Sequence, residues 1–256
     1  MAYPPFDLHG KVALVTGGNR GIGLGMAEAL AQAGADLVVW GSNPERNERA
    51  GERLRTHGTR VSTRQVDVSD EDAVIEAFGA ALAEMGRIDS VFANAGIGGH
   101  APSFMEFDTE LYRKVLGVNL DGVFFTLREA ARHMSSREGG GSLVATASLA
   151  AIEGAAHNQA YAATKGAVIS MIRACAVELA RYGVRANAVL PGWIATDMTA
   201  RAQGNDTFET KVIKRVPARR WGEPQDFGGI AVYLASDASR YHSGDTFVID
   251  GGYAIF

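Results

Sequence analysis

The stretch Val12-Ala-Leu-Val-Thr16, followed at once by Gly17-Gly-Asn-Arg-Gly-Ile-Gly23, decides the fold of this 256-residue chain. The unbroken run from Val12 to Thr16 predicts a short strand that is buried on both faces. The glycines allow a tight turn and a close approach of backbone to a phosphate, and the next helix presents its N-terminal N–H groups. The spacing differs from Gly-x-Gly-x-x-Gly, so the loop alone does not distinguish a dinucleotide site from an ordinary strand-to-helix turn.

The same alternation of short apolar runs and longer helical patterns continues outward from this unit to the end of the chain. Strands are predicted at residues 12–16, 37–40, 60–66, 91–93, 142–145, 186–190 and 246–249. Helices are predicted at residues 22–33, from Pro44 towards Gly58, from a capping box at 69–72 to about Met85, and at 108–134, 160–182 and 223–235. This rhythm implies parallel strands joined by right-handed crossovers. We therefore predict one doubly wound α/β domain over residues 1–256, with ligands at the C-terminal ends of its strands.

Composition excludes several classes of protein. The 31 glycines exceed the average usage of about 7%, but only 7 prolines accompany them, so the chain is neither disordered nor collagen-like. A net charge of −4 without a long basic run disfavours nucleic-acid binding. Cys175 is the only cysteine and the six histidines form no HxxxH or HxxH pair, so we predict no disulfide and no metal site.

Targeting and membrane signals are also missing from the sequence. Residues 1–10 lack a basic segment followed by a long apolar one, so they do not resemble a signal peptide. No uninterrupted apolar stretch approaches the ~18 residues of a membrane span. We therefore expect a cytoplasmic protein that does not bind membranes.

A second chemical motif is Tyr161-Ala-Ala-Thr-Lys165. Spacing of four residues on a helix places the phenol and the ammonium on one face, where the positive charge is expected to lower the pKa of the phenol. Such a tyrosine can exchange a proton with a substrate hydroxyl or carbonyl near neutral pH. Ser148 follows the fifth predicted strand and could hold the same substrate oxygen. A bare YxxxK pair is usually a surface contact, so it acquires meaning only together with the glycine loop and Ser148.

Together these motifs resemble those of the short-chain dehydrogenases/reductases, in order and spacing, over essentially the whole chain. The resemblance implies a Rossmann-type fold and hydride transfer between a nicotinamide cofactor and an alcohol/carbonyl pair. The family's usual paired asparagines are replaced here by Ala93-Asn94, a change expected to affect packing at the sheet end. The matching segments are residues 16–23, Asn94-Ala95-Gly96, Asn119, Ser148, Tyr161 with Lys165, Pro191-Gly192 and Asp250-Gly251-Gly252.

The resemblance also assigns roles to individual residues. Tyr161 would be the catalytic acid/base, and Lys165 would lower its pKa and bind the nicotinamide ribose. Ser148 would orient the substrate oxygen, and Asn119 would hold a water in a proton relay to Lys165. The cofactor-binding residues expected on this basis are Gly17, Asn19, Arg20, Gly21, Ile22, Gly23, Ser42, Asn43, Asp67, Val68, Asn94, Ala95, Gly96, Tyr161, Lys165, Pro191, Gly192, Ile194 and Thr196.

The choice between the two nicotinamide cofactors depends on the end of the second strand. NAD specificity usually rests on an acidic residue there, hydrogen-bonded to the adenosine ribose. This chain has Gly41 at that position, followed by Ser42 and Asn43, which could donate to a 2′-phosphate, and Arg20 could add positive charge. The arginine that often follows the strand in NADP-preferring relatives is missing. We therefore favour NADP(H) over NAD(H).

The substrate is left open between two classes. Residues 25–31 and 219–222 are similar to sugar and sugar-acid dehydrogenases of the family, while 3-oxoacyl-thioester reductases share nearly the same motifs. A cofactor-sensing protein without catalysis is the non-enzymatic alternative. His157 and Trp193 are candidate substrate contacts, although His157 could be a solvated loop residue and Trp193 could pack under a loop. The resemblance further implies a cofactor half at about 1–140, a substrate part at about 141–256, a lid at about 197–217 and a homotetramer.

Overall fold

A single sheet of seven parallel strands forms the centre of the computed structural model, which describes residues 4–256. The strands are β1 (Val12–Thr16), β2 (Asp36–Gly41), β3 (Val61–Gln65), β4 (Ser90–Ala93), β5 (Gly141–Thr146), β6 (Val184–Pro191) and β7 (Thr246–Ile249). They are ordered β3-β2-β1-β4-β5-β6-β7, and every pair is parallel. The predicted doubly wound sheet is confirmed. Residues 1–3, which belong to the predicted domain and to the N-terminal segment 1–10, lie outside the described residues.

Helices connect the strands at the predicted places, with local differences. They are α1 (Gly21–Gln32), α2 (Pro44–Arg55), α3 (Glu71–Met85), α4 (Thr109–Leu116), α5 (Gly122–Ser135), α6 (Gln159–Leu179), α7 (Asp206–Lys211) and α8 (Gly228–Ala235). The helix expected over residues 108–134 is interrupted by a π-helical turn, Gly117–Asp121. The helix expected over residues 223–235 begins with a 3-10 turn, Pro224–Phe227. The first difference matters for the site, because the π turn carries Asn119.

Side-chain caps start several helices. Asn43 caps α2 as predicted: its side chain accepts a hydrogen bond from the Arg46 amide at 2.8 Å, and proline occupies the first position of the helix. The predicted capping box at 69–72 is wrong by one residue. Asp70 caps α3 by accepting from the Ala73 amide, because the hydroxyl of Ser69 donates instead to Asp67 at 2.6 Å.

Both faces of the sheet are covered, which explains the unbroken apolar character of its central strands. Leu14 and Val91 point into a core shared with α3, α5 and α6. Val15 and Phe92 point into the opposite core, shared with α1 and α8. All five residues of β1 are buried, whereas the edge strands β3 and β7 are partly exposed.

The strand order reverses direction at β1, which has β2 on one side and β4 on the other. In doubly wound sheets the crevice at such a point, beyond the C-terminal ends of the strands, is where ligands bind. The glycine loop follows β1 and Asn94 follows β4, so both predicted motifs lie at this crevice. Within residues 4–256, no helix combines the length and the apolar character that crossing a membrane requires.

Candidate functional site

The glycine loop after β1 is bonded to the loop after β4. The Thr16 hydroxyl accepts hydrogen bonds from the amides of Asn94 and Ala95, each at 3.0 Å, and the Asn94 side chain donates to the Thr16 carbonyl at 3.1 Å. Gly17 has φ of 64°, in the left-handed region that favours glycine. At Gly23 a Cβ atom would collide with the Gly17 carbonyl. The loop is thus compact and presents backbone rather than side chains at the start of α1.

A cavity of about 330 Å³ opens between this loop and the segment after β6. Pro191 ends the strand, Gly192 donates its amide to the Ile249 carbonyl, and Ile194 is buried. Thr196 faces the glycine loop, since a Cβ on Gly21 would lie 3.3 Å from its methyl group. The cavity is lined by Gly21, Ala195, Thr196, Asp197, Ala200, Gln203 and Pro224.

The mouth of the crevice holds an ion cluster that the sequence did not reveal. Arg20 Nη1 lies 2.7 Å from Asp197 Oδ2, and Arg46 Nη1 lies 3.4 Å from the same oxygen. The hydrogen bond from Arg20 lowers the pKa of the Asp197 carboxyl. In the sequence an arginine was sought only at the position directly after β2, so Arg46, which lies in the first turn of α2, was missed. Its place three residues after the cap Asn43 was the available signal.

The end of β2 is filled by two asparagines. The Asn19 side chain donates to Asn47 Oδ1 at 2.7 Å, and both side chains lie against Gly41. The Ser42 carbonyl accepts a hydrogen bond from the Gln65 side chain. The side-chain oxygen of Asn43 accepts from the Arg46 amide and so caps α2. The predicted residues Asn19, Ser42 and Asn43 therefore all lie at this end of the strand.

Asp67 and Val68 follow β3 on the same edge of the sheet. Val68 is buried and packs against Gly122, where a Cβ atom would lie 2.8 Å from a Val68 methyl group. Asp67 is exposed and one of its carboxylate oxygens accepts from the amide and hydroxyl of Ser69. Their side chains thus point in opposite directions, Val68 into the core and Asp67 towards solvent.

Ser148, Tyr161 and Lys165 meet beyond the end of β5. Ser148 starts a 3-10 turn, Leu149–Ala151, where its hydroxyl accepts from the Ala150 amide at 3.2 Å, and it lies close enough to Tyr161 to lower the pKa of the phenol. Tyr161 lies in the first turn of α6, and Lys165 lies one turn later, with its Nζ 5.5 Å from the centre of the phenol ring. The Lys165 ammonium donates to the Thr146 carbonyl at 2.7 Å.

Burial dominates the ionisation of this group. The pKa of Tyr161 is raised by desolvation, and Ser148 offsets only part of that rise. Burial also lowers the pKa of Lys165 to about 8. In the protein on its own the pKa of the phenol thus lies above its ordinary value, and the expectation that Lys165 lowers it stays a prediction.

Asn119 joins this group from the π turn. Its side chain is fully buried and forms two hydrogen bonds with Ile97, accepting from the amide at 2.8 Å and donating to the carbonyl at 2.9 Å. A Cβ on Gly96 would lie 3.3 Å from Asn119 Oδ1 and 3.6 Å from Lys165 Nζ. The asparagine thus clamps the loop after β4 beside the lysine, and its observed partners are backbone groups.

The two candidate substrate contacts have different surroundings. His157 is exposed on the loop before α6, in a left-handed conformation with φ of 65°, and its ring centre lies 5.5 Å from that of His100. Trp193 packs in an aromatic cluster beneath the predicted lid, with ring centres 4.8 Å from Phe208 and 6.4 Å from Trp221. The structure thus favours the packing interpretation for Trp193. Among the described residues, no three His, Cys, Asp or Glu side chains are grouped to hold a metal ion.

Known proteins resemble this chain along nearly its whole length. A family model described as enoyl-(acyl carrier protein) reductase matches residues 17–254. The gluconate 5-dehydrogenase of Gluconobacter oxydans (strain 621H) is 38% identical over 256 residues, 100% of this chain and 99% of that protein. The 3-oxoacyl-[acyl-carrier-protein] reductase of Chlamydia pneumoniae is 36% identical over 245 residues, 96% of this chain and 97% of that protein.

A solved structure agrees in the same way. The crystal structure of a gluconate 5-dehydrogenase from Burkholderia cenocepacia J2315, in complex with NADP and tartrate, has a TM-score of 0.93 and 36% identity. The match covers 98% of this chain and 97% of that one. These likenesses confirm the predicted fold and enzyme class. The chain belongs to the short-chain dehydrogenase/reductase family of NAD(P)-dependent oxidoreductases.

Proposed function

We propose that this protein interconverts a secondary alcohol and a ketone of a sugar or sugar acid, using NADP(H) in preference to NAD(H). The observation that carries the proposal is the meeting of Ser148, Tyr161 and Lys165 at the crevice where the glycine loop ends. A proton donor, a hydrogen-bonding hydroxyl and a buried cation in one place suit a reaction that makes and breaks a C–O–H group.

The crevice fits a dinucleotide. The loop from Gly17 to Gly23 offers bare backbone and a helix N-terminus to a pyrophosphate, and the cavity of about 330 Å³ lies beside it, between Gly21 and Thr196. Bound NADP(H) would supply hydride transfer to or from the carbinol carbon, and the protein supplies position and electrostatics. Asn94, Gly96 and the segment from Pro191 to Thr196 would hold the nicotinamide end, and Asp67 with Val68 would flank the adenine.

The proton chemistry falls to Tyr161. Its raised pKa keeps the phenol protonated at neutral pH, so in reduction it donates its proton to the carbonyl oxygen. Oxidation is the reverse step and needs the phenolate form, which would take the hydroxyl proton. Ser148 would hold the same substrate oxygen. Lys165, with a pKa of about 8, is mostly charged at neutral pH and would stabilise the negative charge left on the phenol oxygen.

Charge at the mouth of the crevice supports the preference for NADP(H). Arg20 and Arg46 reach one carboxylate oxygen of Asp197 from two separate elements. A pair of guanidinium groups so arranged can form charge-assisted hydrogen bonds to a 2′-phosphate. Gly41 contributes no carboxylate that would repel this phosphate, and Ser42 can add a donor.

Relatives named for sugar acids and relatives named for 3-oxoacyl thioesters both resemble this chain, and we favour the sugar acids as substrates. The Gluconobacter and Burkholderia relatives are gluconate 5-dehydrogenases by name, and the latter was crystallised with tartrate. His157 and His100 would offer imidazole groups to a polar substrate at the rim, while Trp193 would support a lid at residues 197–217 through Phe208. A 3-oxoacyl-thioester reductase is the second candidate, supported by the Chlamydia relative.

A substrate panel followed at the NADPH absorbance tests the proposal. We expect turnover with free polyols, sugar acids or keto sugar acids, and little with simple ketones or acyl-carrier thioesters. Turnover confined to acyl thioesters would favour the second candidate instead. NADPH binding without turnover on any member of the panel would point to a cofactor-sensing protein.

Assembly and location are part of the same proposal. Ile255 and Phe256 at the C-terminus are 92% and 70% exposed, and Val248 is exposed on the edge strand β7. Apolar side chains in this position suit burial against another subunit, and we propose a cytoplasmic homotetramer. Light scattering at micromolar concentration should give the tetramer mass, and a monomer mass would contradict this assembly.

A further inference from the structure

Asn47 is a buried polar residue whose side chain joins three parts of the crevice. Only 3% of it is exposed. Its Nδ2 donates to the carbonyl of Gly41 at 2.9 Å and to that of Arg64 at 3.0 Å, while its Oδ1 accepts from Asn19 at 2.7 Å. Both N–H groups are used, so the carboxamide is fixed against the ends of β2 and β3.

This fixed carboxamide occupies the space beside Gly41. A Cβ atom built on Gly41 would lie 2.5 Å from Asn47 Oδ1, and it would also collide with the Asn19 amide nitrogen. Contacts below about 3 Å between non-bonded carbon and oxygen are strongly repulsive, since optimal separations are near 3.5 Å. Position 41 therefore cannot take a side chain while both asparagines keep their places.

The two obstacles are not equivalent. Asn19 is partly exposed on the glycine loop, and its amide end can rotate away at the cost of one hydrogen bond. Asn47 cannot move without leaving the carbonyls of Gly41 and Arg64 and opening a gap in a packed region. Breaking these hydrogen bonds would leave buried carbonyl groups unsatisfied, which is strongly unfavourable. Asn47 is thus the obstacle that matters.

We propose that Asn47 determines cofactor specificity as a positioning residue, because it keeps the end of β2 free of the acidic side chain that would select NAD(H). An acidic residue at this position would bond the ribose hydroxyls and repel a 2′-phosphate. The inference rests on the proposed preference for NADP(H), and it adds that a change at position 41 alone cannot reverse that preference.

The test compares kcat/KM for NADPH and NADH in the wild type, Gly41→Asp, Asn47→Ser and the double variant. Gly41→Asp alone should lose about tenfold with NADPH and gain little with NADH, because its carboxylate is displaced from the ribose. The double variant should gain about tenfold with NADH over Gly41→Asp and so invert the preference. Asn47→Ser removes the obstructing oxygen and retains a hydroxyl, and Asn47→Ala replaces it if the serine variant is unstable.

A matched control separates specificity from general loosening of the fold. Asn187 is also fully buried, and its carboxamide bonds the His242 carbonyl and the Asp245 amide at the other side of the sheet. Gly41→Asp combined with Asn187→Ser should keep the cofactor ratio of Gly41→Asp. Inversion by Gly41→Asp alone, or equal rescue by the Asn187 change, would overturn the inference. A wild type that prefers NADH would instead contradict the proposed function, while the coupling between positions 41 and 47 is still measured.

Discussion

Two corners of the crevice are built in opposite ways. In the proposed catalytic corner (Ser148, Asn119, Tyr161 and Lys165), Asn119 and Lys165 are buried, at 0% and 3% exposed, while Ser148 and Tyr161 are partly exposed. The adenosine corner (Arg20, Gly41, Arg46, Asn47 and Asp197) opens to solvent, where the side chains of Arg20 and Arg46 are 53% and 42% exposed. Desolvation sets the pKa values in the catalytic corner, and screened attraction between exposed charges sets the ion pairs of the adenosine corner. The catalytic corner should therefore respond to pH, and the adenosine corner should respond to salt and to the phosphate of the cofactor.

A large effect on this contrast is expected from Ser148→Ala. Loss of the hydroxyl that would hold the substrate oxygen should lower kcat by about 10²–10³-fold, a range typical of a lost oxyanion-type donor. The KM for NADPH should change little, because the residue belongs to the other corner. Steady-state kinetics checks both values.

The control for this variant is Ser170→Ala, an exposed serine on helix α6. It should leave kcat and KM unchanged. A large rise in the KM for NADPH in Ser148→Ala would show that the two corners are not separate.

The pH profile of kcat/KM should show the titration of the buried Lys165. In the free enzyme the pKa of Lys165 is about 8, so its charge is present below that pH and lost above it. The kcat/KM for NADPH in the reductive direction, which reports on the free enzyme, should fall about tenfold per pH unit above pH 8. A profile that is flat to pH 10 would contradict the assigned role of the ammonium.

Arg46→Ala should act on the adenosine corner alone. We expect the KM for NADPH to rise about five- to tenfold, the KM for NADH to stay within twofold, and the NADPH effect to shrink at high salt. Arg49→Ala, an exposed arginine on the same helix, is the matched control and should leave both constants unchanged. Equal effects of Arg46→Ala on both cofactors would remove Arg46 from the phosphate site.

The smallest effect is expected from Asp197→Asn. The carboxylate competes with an incoming phosphate for Arg20 and Arg46, so its loss should lower the KM for NADPH about two- to threefold. The KM for NADH should stay unchanged. A fluorescence titration of NADPH checks this directly, and weaker NADPH binding would indicate that the carboxylate orders the arginines instead.

The same contrast explains how much could be predicted from the sequence. The unbroken apolar runs define the central strands, and the four-residue spacing brings Tyr161 and Lys165 together, because local periodicity determines both features. The ion pair between Arg20 and Asp197 joins residues 177 positions apart, and local periodicity contains no signal for it. The raised pKa of Tyr161 likewise depends on desolvation by the folded chain, whereas the sequence showed only its charged neighbour.

Gly41 shows which part of the site the sequence predicts and which part only the fold reveals. From the sequence it was a missing acidic residue, which left the choice of cofactor open. In the fold a Cβ atom at this position would collide with Asn47, which lies six residues away in sequence and is buried on α2 against the ends of β2 and β3. The π turn that carries Asn119 was hidden in the same way, because the helical pattern of residues 108–134 continues through it.

Tyr161→Phe tests the proposed proton exchange most directly. The phenol ring and its packing remain, and only the hydroxyl that would exchange the proton is lost. We expect unchanged NADPH binding by fluorescence titration and a loss of turnover of about 10²–10⁴-fold on the best sugar-acid substrate. Turnover within tenfold of the wild type would contradict this expectation.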